Sequence, residues 1–179
     1  MDPSLKDLTA QVDDATSLLF ETAAQLTDEQ VQQPSLLPGW TRGHVLTHIA
    51  RSGDALRNLL EGARSGIPRD AYPSQEARNA EIEAGSRRSV AALIADVRES
   101  AAAWRAAVES MPEHAWTVQL SILGSKPFPA SQVVLRRLVE IELHHVDLDA
   151  GYRPSDWPTT FNELELTEPM RGQRADRLV

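Results

Sequence analysis

The sequence predicts an all-α protein, a bundle of four helices joined by long connections. Four stretches repeat apolar residues at spacings of three and four, the spacing that lines one face of an α-helix. The segments between them contain prolines, glycines and turn-forming pairs. The 179 residues suffice for one domain with its own hydrophobic core.

The first helix is predicted from about Ser4 to Leu26. Apolar side chains such as Leu8, Val12 and Leu19 recur on one face of this stretch. The face predicts an amphipathic helix that packs against the rest of the bundle.

The second helix is predicted over residues 41–63. A Pro-Gly turn at 38–39 precedes it, and Thr41 is a residue type that caps helix N-termini. His44 and His48 lie one turn apart, close to its apolar stripe. This helix therefore offers an imidazole on or near its buried face.

The third helix is predicted from Gln75 to Ser110, where Gly85 marks either a bend or a close contact. Residues 116–122 alternate apolar and polar side chains, which favours a short extended segment before the last helix. A long interhelical loop fits that pattern about equally well. The fourth helix is predicted over residues 130–150, with Gly151 after it.

Composition excludes several classes of function. The chain has no cysteine, so a metal must be held by His, Asp or Glu, and a reactive thiol must come from outside. The net charge of −8 disfavours nucleic-acid binding. No apolar run approaches the roughly 20 residues that span a bilayer. No export signal is recognised at the N-terminus, so no membrane partner and a cytoplasmic location are expected.

The fourth helix is unusually rich in groups that bind metals. Glu140 and His144 lie one turn apart on one face, while Glu142, His145 and Asp149 lie on roughly the opposite face. Apolar residues flank both faces, so periodicity alone does not decide which one points inward.

A histidine from the second helix would complete a site of two imidazoles and one carboxylate. Three protein ligands leave coordination positions open, as catalytic metal sites do. Other interpretations fit the same residues. The Glu140 and His144 pair also suits a surface salt bridge, His48 suits a hydrogen-bonded core position, and His44 suits the start of a helix.

Three strings resemble a known family. The string LPGWTRGHVLTHIA at 37–50 resembles the entry to the second helix of DinB-like proteins. The string RRLVEIELHHVDL at 136–148 resembles the fourth helix of mycothiol-dependent maleylpyruvate isomerases, and EARNAEI at 76–82 resembles their third helix. The resemblance implies a DinB-like four-helix bundle.

The resemblance also implies roles for individual residues. His48, Glu140 and His144 match the family's zinc ligands, and Arg78 falls where a catalytic, substrate-binding arginine could face the pocket. Arg42 is a further candidate for binding substrate. Glu142 and His145 would then be groups of the outer coordination sphere or of the surface.

The reaction implied is the cis–trans isomerisation of maleylpyruvate to fumarylpyruvate in gentisate degradation. The cofactors implied are Zn²⁺, or another divalent metal, and mycothiol. Addition of a thiol to the double bond allows rotation, and its elimination restores the alkene. The partners expected are therefore a small dicarboxylate substrate and a low-molecular-weight thiol.

Two alternatives remain open at this point. One is a mycothiol S-transferase that acts on other electrophiles, and the other is a non-catalytic metal-binding bundle. Relatives usually continue into a small α/β domain that covers the pocket. We therefore predict a helical domain over residues 1–153, followed at 154–179 by a tail or the remnant of such a domain.

Overall fold

Helices form most of the chain in the computed structural model, which describes residues 4–178. The predicted all-α class and the helical bundle are confirmed. The elements are α1 (Leu5–Ala23), α2 (Arg42–Ser65), α3 (Gln75–Gly85), α4 (Val90–Glu109), β1 (Gln119–Leu120), β2 (Phe128–Pro129), α5 (Gln132–Asp147), α6 (Thr159–Asn162) and α7 (Met170–Ala175).

Residues 1–3 and residue 179 lie outside the described range. The first three belong to the N-terminus on which the expected absence of an export signal rests, and the last ends the predicted tail. Within the described residues, no helix combines the length and the apolar composition needed to cross a membrane.

Local capping chemistry sets the starts of the long helices. The Ser4 hydroxyl accepts a hydrogen bond from the Asp7 backbone N–H at 3.2 Å, and the Asp7 side chain bonds back to Ser4. At α2 the predicted cap is Thr41, whose hydroxyl accepts from the His44 backbone. His44 completes a capping box, because its ring Nδ1 accepts a hydrogen bond from the Thr41 backbone N–H at 3.1 Å.

The core lies where α2 packs against α4 and α5, and where α1 packs against α5. Large side chains in this region, among them Leu19, Ile49 and Trp104, are essentially without solvent contact. Burial of these apolar groups drives the helices together. It also fixes α2 and α5 side by side, and these two helices carry the predicted metal ligands.

The predicted third helix is two helices rather than one. The chain leaves the helical path after α3, and Ser89 caps α4 by accepting from the Ala92 backbone at 3.3 Å. A Cβ atom at Gly85 would lie 2.4 Å from Thr47 Cγ2, so α3 ends against α2. The prediction located a bend or contact at Gly85 but missed the break that follows it.

The predicted extended segment is shorter than its alternating pattern. Residues 113–117 form a 3₁₀ turn, and only the two residues of β1 pair with β2, in an antiparallel arrangement. The alternation at 116–122 is therefore mostly loop. The hairpin brings its connection, including Ile122 and Lys126, to the rim of the main cavity.

The segment after α5 folds back onto the bundle. Trp157, Phe161 and Met170 are buried, and Trp157 donates its indole N–H to the Glu142 carbonyl at 3.3 Å. These contacts give the tail an apolar face that its polar composition obscures. The division of the chain at residue 153 stays a prediction.

Candidate metal centre

Three side chains from α2 and α5 meet at the inner end of a cavity. His48 Nε2 lies 3.1 Å from Glu140 Oε2, and His144 Nε2 lies 3.6 Å from the same oxygen. The two Nε2 atoms are 3.0 Å apart. The structure thus brings together the three residues predicted as ligands, with one donor atom of each facing a common point.

The distances and the chemistry of this cluster both fit a divalent cation. Ligands bound at about 2.0–2.2 Å around a tetrahedral metal lie roughly 3.3–3.6 Å from one another, close to the spacing found here. Glu140 Oε2 is buried, and no well-aligned hydrogen bond from the described residues reaches it, although His48 Nε2 lies 3.1 Å away. A buried carboxylate oxygen normally accepts such a bond, and a cation would satisfy it. The ligand roles themselves remain a prediction.

The electrostatics give His48 and Glu140 the net charges that suit metal binding. Burial, helped by the nearby His144 ring, lowers the pKa of His48 to about 4, so its imidazole is neutral at neutral pH. Burial raises the pKa of Glu140, but the neighbouring His48 and the charges of His144 and Arg137 bring it well below its ordinary value. Glu140 is therefore a carboxylate.

Arg137 supplies a permanent positive charge behind Glu140. It is fully buried and donates from Nη1 to the Ile49 carbonyl at 2.8 Å. Burial lowers the pKa of Arg137 to about 10, which leaves the guanidinium charged at neutral pH. This charge adds to the larger effects of His48 and His144 that lower the pKa of Glu140 and keep it ionised.

The outer nitrogen of His144 is held by a carboxylate. Nδ1 lies 2.7 Å from Asp147 Oδ2, one turn farther along α5. An imidazole that donates from Nδ1 presents the lone pair of Nε2 to the centre. Burial raises the pKa of Asp147, but hydrogen bonds from His144 and Arg177 outweigh this effect and lower it overall.

The outer nitrogen of His48 meets the predicted substrate-binding arginine. Arg78 Nη2 lies 3.1 Å from His48 Nδ1, and its guanidinium carbon lies 5.7 Å from the centre of the Tyr72 ring. The edge of Trp40 packs on the other side of His48. Arg78, carried by α3, therefore touches the cluster while lining the cavity.

Close helix packing makes the contact between α3 and α2 possible. A Cβ atom at Gly43 would lie 2.0 Å from the Ser86 carbonyl oxygen, just beyond the end of α3. Because Gly43 has no side chain, this backbone segment can approach α2 closely. The approach brings Arg78 within reach of His48.

The cluster opens into a cavity of about 320 Å³. Three cationic side chains line it: Arg78, Arg136 and Lys126. Arg136 stacks on Phe128, with its guanidinium carbon 3.8 Å from the ring centre. Two acids, Glu140 and Glu168, also line it, so cations outnumber acids in the cavity wall although the chain as a whole is acidic. The site is suited to an anionic molecule of small size.

Arg42 has a different position from the one considered in the sequence analysis. Its guanidinium donates to the carbonyls of Leu148 at 2.9 Å and Asp149 at 2.8 Å. The Leu36 N–H adds a bond to the Asp147 carbonyl at 2.9 Å. Arg42 therefore joins the start of α2 to the end of α5, and it supports the spacing of the ligand helices rather than lining the cavity.

Glu142 and His145 occupy the core on the far side of α5. His145 Nε2 lies 2.8 Å from the Thr22 hydroxyl, and its ring stacks on Tyr152 at 3.8 Å. Tyr152 donates to Glu142 Oε2 at 2.7 Å. The expectation of outer-sphere or surface groups is wrong, because the tail covers this face of α5 and its polar groups pair there.

Comparison with known proteins gives consistent matches. The sequence matches the family described as "Mycothiol maleylpyruvate isomerase N-terminal domain" over residues 12–149. The crystal structure of the mycothiol-dependent maleylpyruvate isomerase superposes with a TM-score of 0.85 at 31% sequence identity, covering 89% of this chain and 67% of that chain. A crystal structure of a His-to-Ala mutant of that enzyme matches with the same values. No curated protein matches the chain.

Proposed function

The chain belongs to the mycothiol maleylpyruvate isomerase N-terminal domain family, and from this premise we propose that it isomerises maleylpyruvate to fumarylpyruvate with mycothiol as thiol cofactor. The observation that carries the proposal is the meeting of His48, Glu140 and His144 at the end of a cavity lined by cations. The crystal structure that superposes on this chain is that of a mycothiol-dependent maleylpyruvate isomerase.

His48, Glu140 and His144 would hold the divalent metal, most simply Zn²⁺. His48 is already neutral and Glu140 already ionised, which are the net charges that such binding requires. When bound, the metal would supply a Lewis acid with open coordination positions, which lowers the pKa of a thiol or water bound there. The chain contributes no thiol of its own, since it has no cysteine.

The cations of the cavity would bind and orient the substrate. Maleylpyruvate carries two carboxylates, and a guanidinium matches a carboxylate with two parallel hydrogen bonds. Arg78 stands beside the cluster, whereas Arg136 and Lys126 line other parts of the wall. We infer that Arg78 binds the carboxylate nearer the reacting double bond and that the other two cations bind the distal one.

Tyr72 would act as a hydrogen-bond donor beside Arg78. Burial, reinforced by the charge of Glu140, raises the pKa of Tyr72 to about 12. The phenol therefore keeps its proton throughout the neutral range. A fixed O–H next to the guanidinium would stabilise negative charge that develops on the substrate during thiol addition.

Replacement of His48 tests the proposal. We expect His48→Ala to lose bound metal and mycothiol-dependent turnover of maleylpyruvate together, with activity reduced at least about 100-fold. His145→Ala is the matched control, because His145 is a histidine of α5 that packs against Thr22 and Tyr152 instead. It should keep most of its metal. Elemental analysis and a turnover assay with and without mycothiol measure both quantities.

Two results would contradict the proposal. Equal metal content in the wild type and in His48→Ala would rule out the ligand set. Metal binding without turnover of maleylpyruvate would rule out the substrate. In the second case, thiol-dependent conversion of an aryl halide would support an S-transferase, and failure to bind mycothiol would support a non-catalytic metal-binding bundle.

A further inference from the structure

A carboxylate at the end of α5 is shared between the candidate metal centre and the tail. Asp147 Oδ2 lies 2.7 Å from His144 Nδ1 and 2.5 Å from Arg177 Nη2. The other carboxylate oxygen, Oδ1, accepts from Arg177 Nε at 3.0 Å. Arg177 therefore donates to both carboxylate oxygens of Asp147, the residue that orients the His144 ring.

Burial and a further hydrogen bond hold the Arg177–Asp147 ion pair in one geometry. The Asp147 side chain is only 3% exposed and that of Arg177 15%. Arg177 Nη1 also donates to the Gln173 carbonyl at 2.7 Å, and this bond ties the guanidinium to α7. A two-point contact fixes the plane of the carboxylate as well as its position. Ion pairs of this kind hold geometry better than single contacts between exposed side chains.

The same tail segment forms a wall of the cavity. Met170 and Gln173, both on α7, line the cavity into which the metal cluster opens. α7 packs against α5, the helix that carries Glu140 and His144. The docking of one short helix thus shapes the substrate space, and through Arg177 and Asp147 it reaches the nitrogen of His144 that faces outward.

We propose that Arg177 is a positioning residue for the metal centre, which holds Asp147 so that His144 presents Nε2 to the cation. The proposal rests on the proposed function, because it presumes that His48, Glu140 and His144 bind a metal. It assigns to the tail a role in metal affinity in addition to its packing. Outer partners of metal-bound histidines affect metal affinity by about 10–100-fold.

Replacement of Arg177 by a neutral side chain of similar length is the first test. We expect Arg177→Gln to weaken Zn²⁺ binding by about tenfold in competition with a chromophoric chelator, and to change the visible absorption of the Co²⁺-loaded protein. The matched control is Arg171→Gln on the adjacent helix α7, where the arginine pairs with exposed Glu168. The control should leave Zn²⁺ affinity and the Co²⁺ spectrum unchanged, and Arg177→Lys should restore part of the affinity.

A double-mutant cycle separates positioning from simple stabilisation of the fold. Asp147→Asn keeps the shape of the side chain, and it should also weaken Zn²⁺ binding. If Arg177 acts through Asp147, Arg177→Gln should cost far less Zn²⁺ affinity in the Asp147→Asn protein than in the wild type. Circular dichroism of each variant establishes that it is folded, and the Asn variant provides the test should Arg177→Gln not fold.

The outcomes are distinct. Wild-type Zn²⁺ affinity in both Arg177→Gln and Asp147→Asn overturns the inference and leaves the proposed function standing. Fully additive losses also overturn it, because the two residues would then act independently. A wild-type protein that binds neither Zn²⁺ nor Co²⁺ overturns the proposed function and this inference together.

Discussion

At the scale of single residues, Arg78 combines two positions that bear on function. Its guanidinium contacts the outer nitrogen of His48 and also lines the cavity. A lysine would keep the positive charge but would lose the planar fork that binds a carboxylate at two points.

We expect Arg78→Lys to raise KM for maleylpyruvate and to lower kcat/KM by about 10–100-fold, with metal content unchanged. Steady-state kinetics and elemental analysis measure these effects. Arg87→Lys is a suitable control, because its side chain is 82% exposed and pairs with Glu83 outside the cavity. A wild-type KM in the Arg78 variant would exclude the substrate-binding role.

The sequence was sufficient to select the three residues that meet at the cluster. Spacing placed Glu140 and His144 on one helical face, and the family resemblance singled out His48 rather than His44. The residues that hold these ligands in place could not be predicted from the sequence. Asp147 and Arg177 are 30 residues apart, and their contact depends on how the tail folds. No local periodicity records such a contact.

At the scale of helices, the packing of α3 on α2 determines where Arg78 lies. There is no free space at Gly43, because the nearest atom to an added Cβ is the backbone oxygen of Ser86 at 2.0 Å. A backbone atom cannot rotate away as a flexible side chain would. Any added atom must push the end of α3 outward.

We therefore expect Gly43→Ala to lower the free energy of unfolding by about 1–3 kcal/mol through overpacking, partly offset by the better helix propensity of alanine. KM for maleylpyruvate should also rise, since Arg78 moves with α3, while Zn²⁺ affinity changes little. Thermal unfolding and steady-state kinetics test this. Gly39→Ala, whose added Cβ meets no atom within 4 Å but lies at φ +79°, should destabilise the fold through backbone strain and still leave KM unchanged.

The helices themselves were largely predictable, but their interruptions were not. Apolar spacing and the Thr41 cap placed α1, α2 and α5 to within a few residues. The break between α3 and α4 escaped prediction because residues 86–89 carry no proline and only modest turn signals. The helix ends where Gly85 lies against Thr47 of α2, and that proximity is tertiary.

At the scale of the whole molecule, the candidate metal centre joins three parts of the fold. α2 supplies His48, α5 supplies Glu140 and His144, and the tail reaches the centre through Asp147. A ligand that binds only the folded state stabilises that state by mass action.

We expect Zn²⁺ at 100 times its Kd to stabilise the protein by about 2.7 kcal/mol. For a chain of this size, such a gain corresponds to a rise in Tm of roughly 5–10 °C. Thermal unfolding followed by circular dichroism, with and without Zn²⁺, measures the shift. His48→Ala should show no comparable rise, and an equal rise in this variant would mean that Zn²⁺ binds elsewhere.

The hydrogen bonds around the two rings run without a gap from α3 to Arg177 in the turn after α7, and they have a direction. Arg78 can only donate, so Nδ1 of His48 accepts, and the neutral ring carries its hydrogen on Nε2, facing Nε2 of His144. A cation that took both Nε2 atoms would force the opposite tautomer on His48, whose Nδ1 would then hold the hydrogen. Arg78 would lose its acceptor and be released toward an incoming anion, so that metal loading would prime the protein for substrate capture.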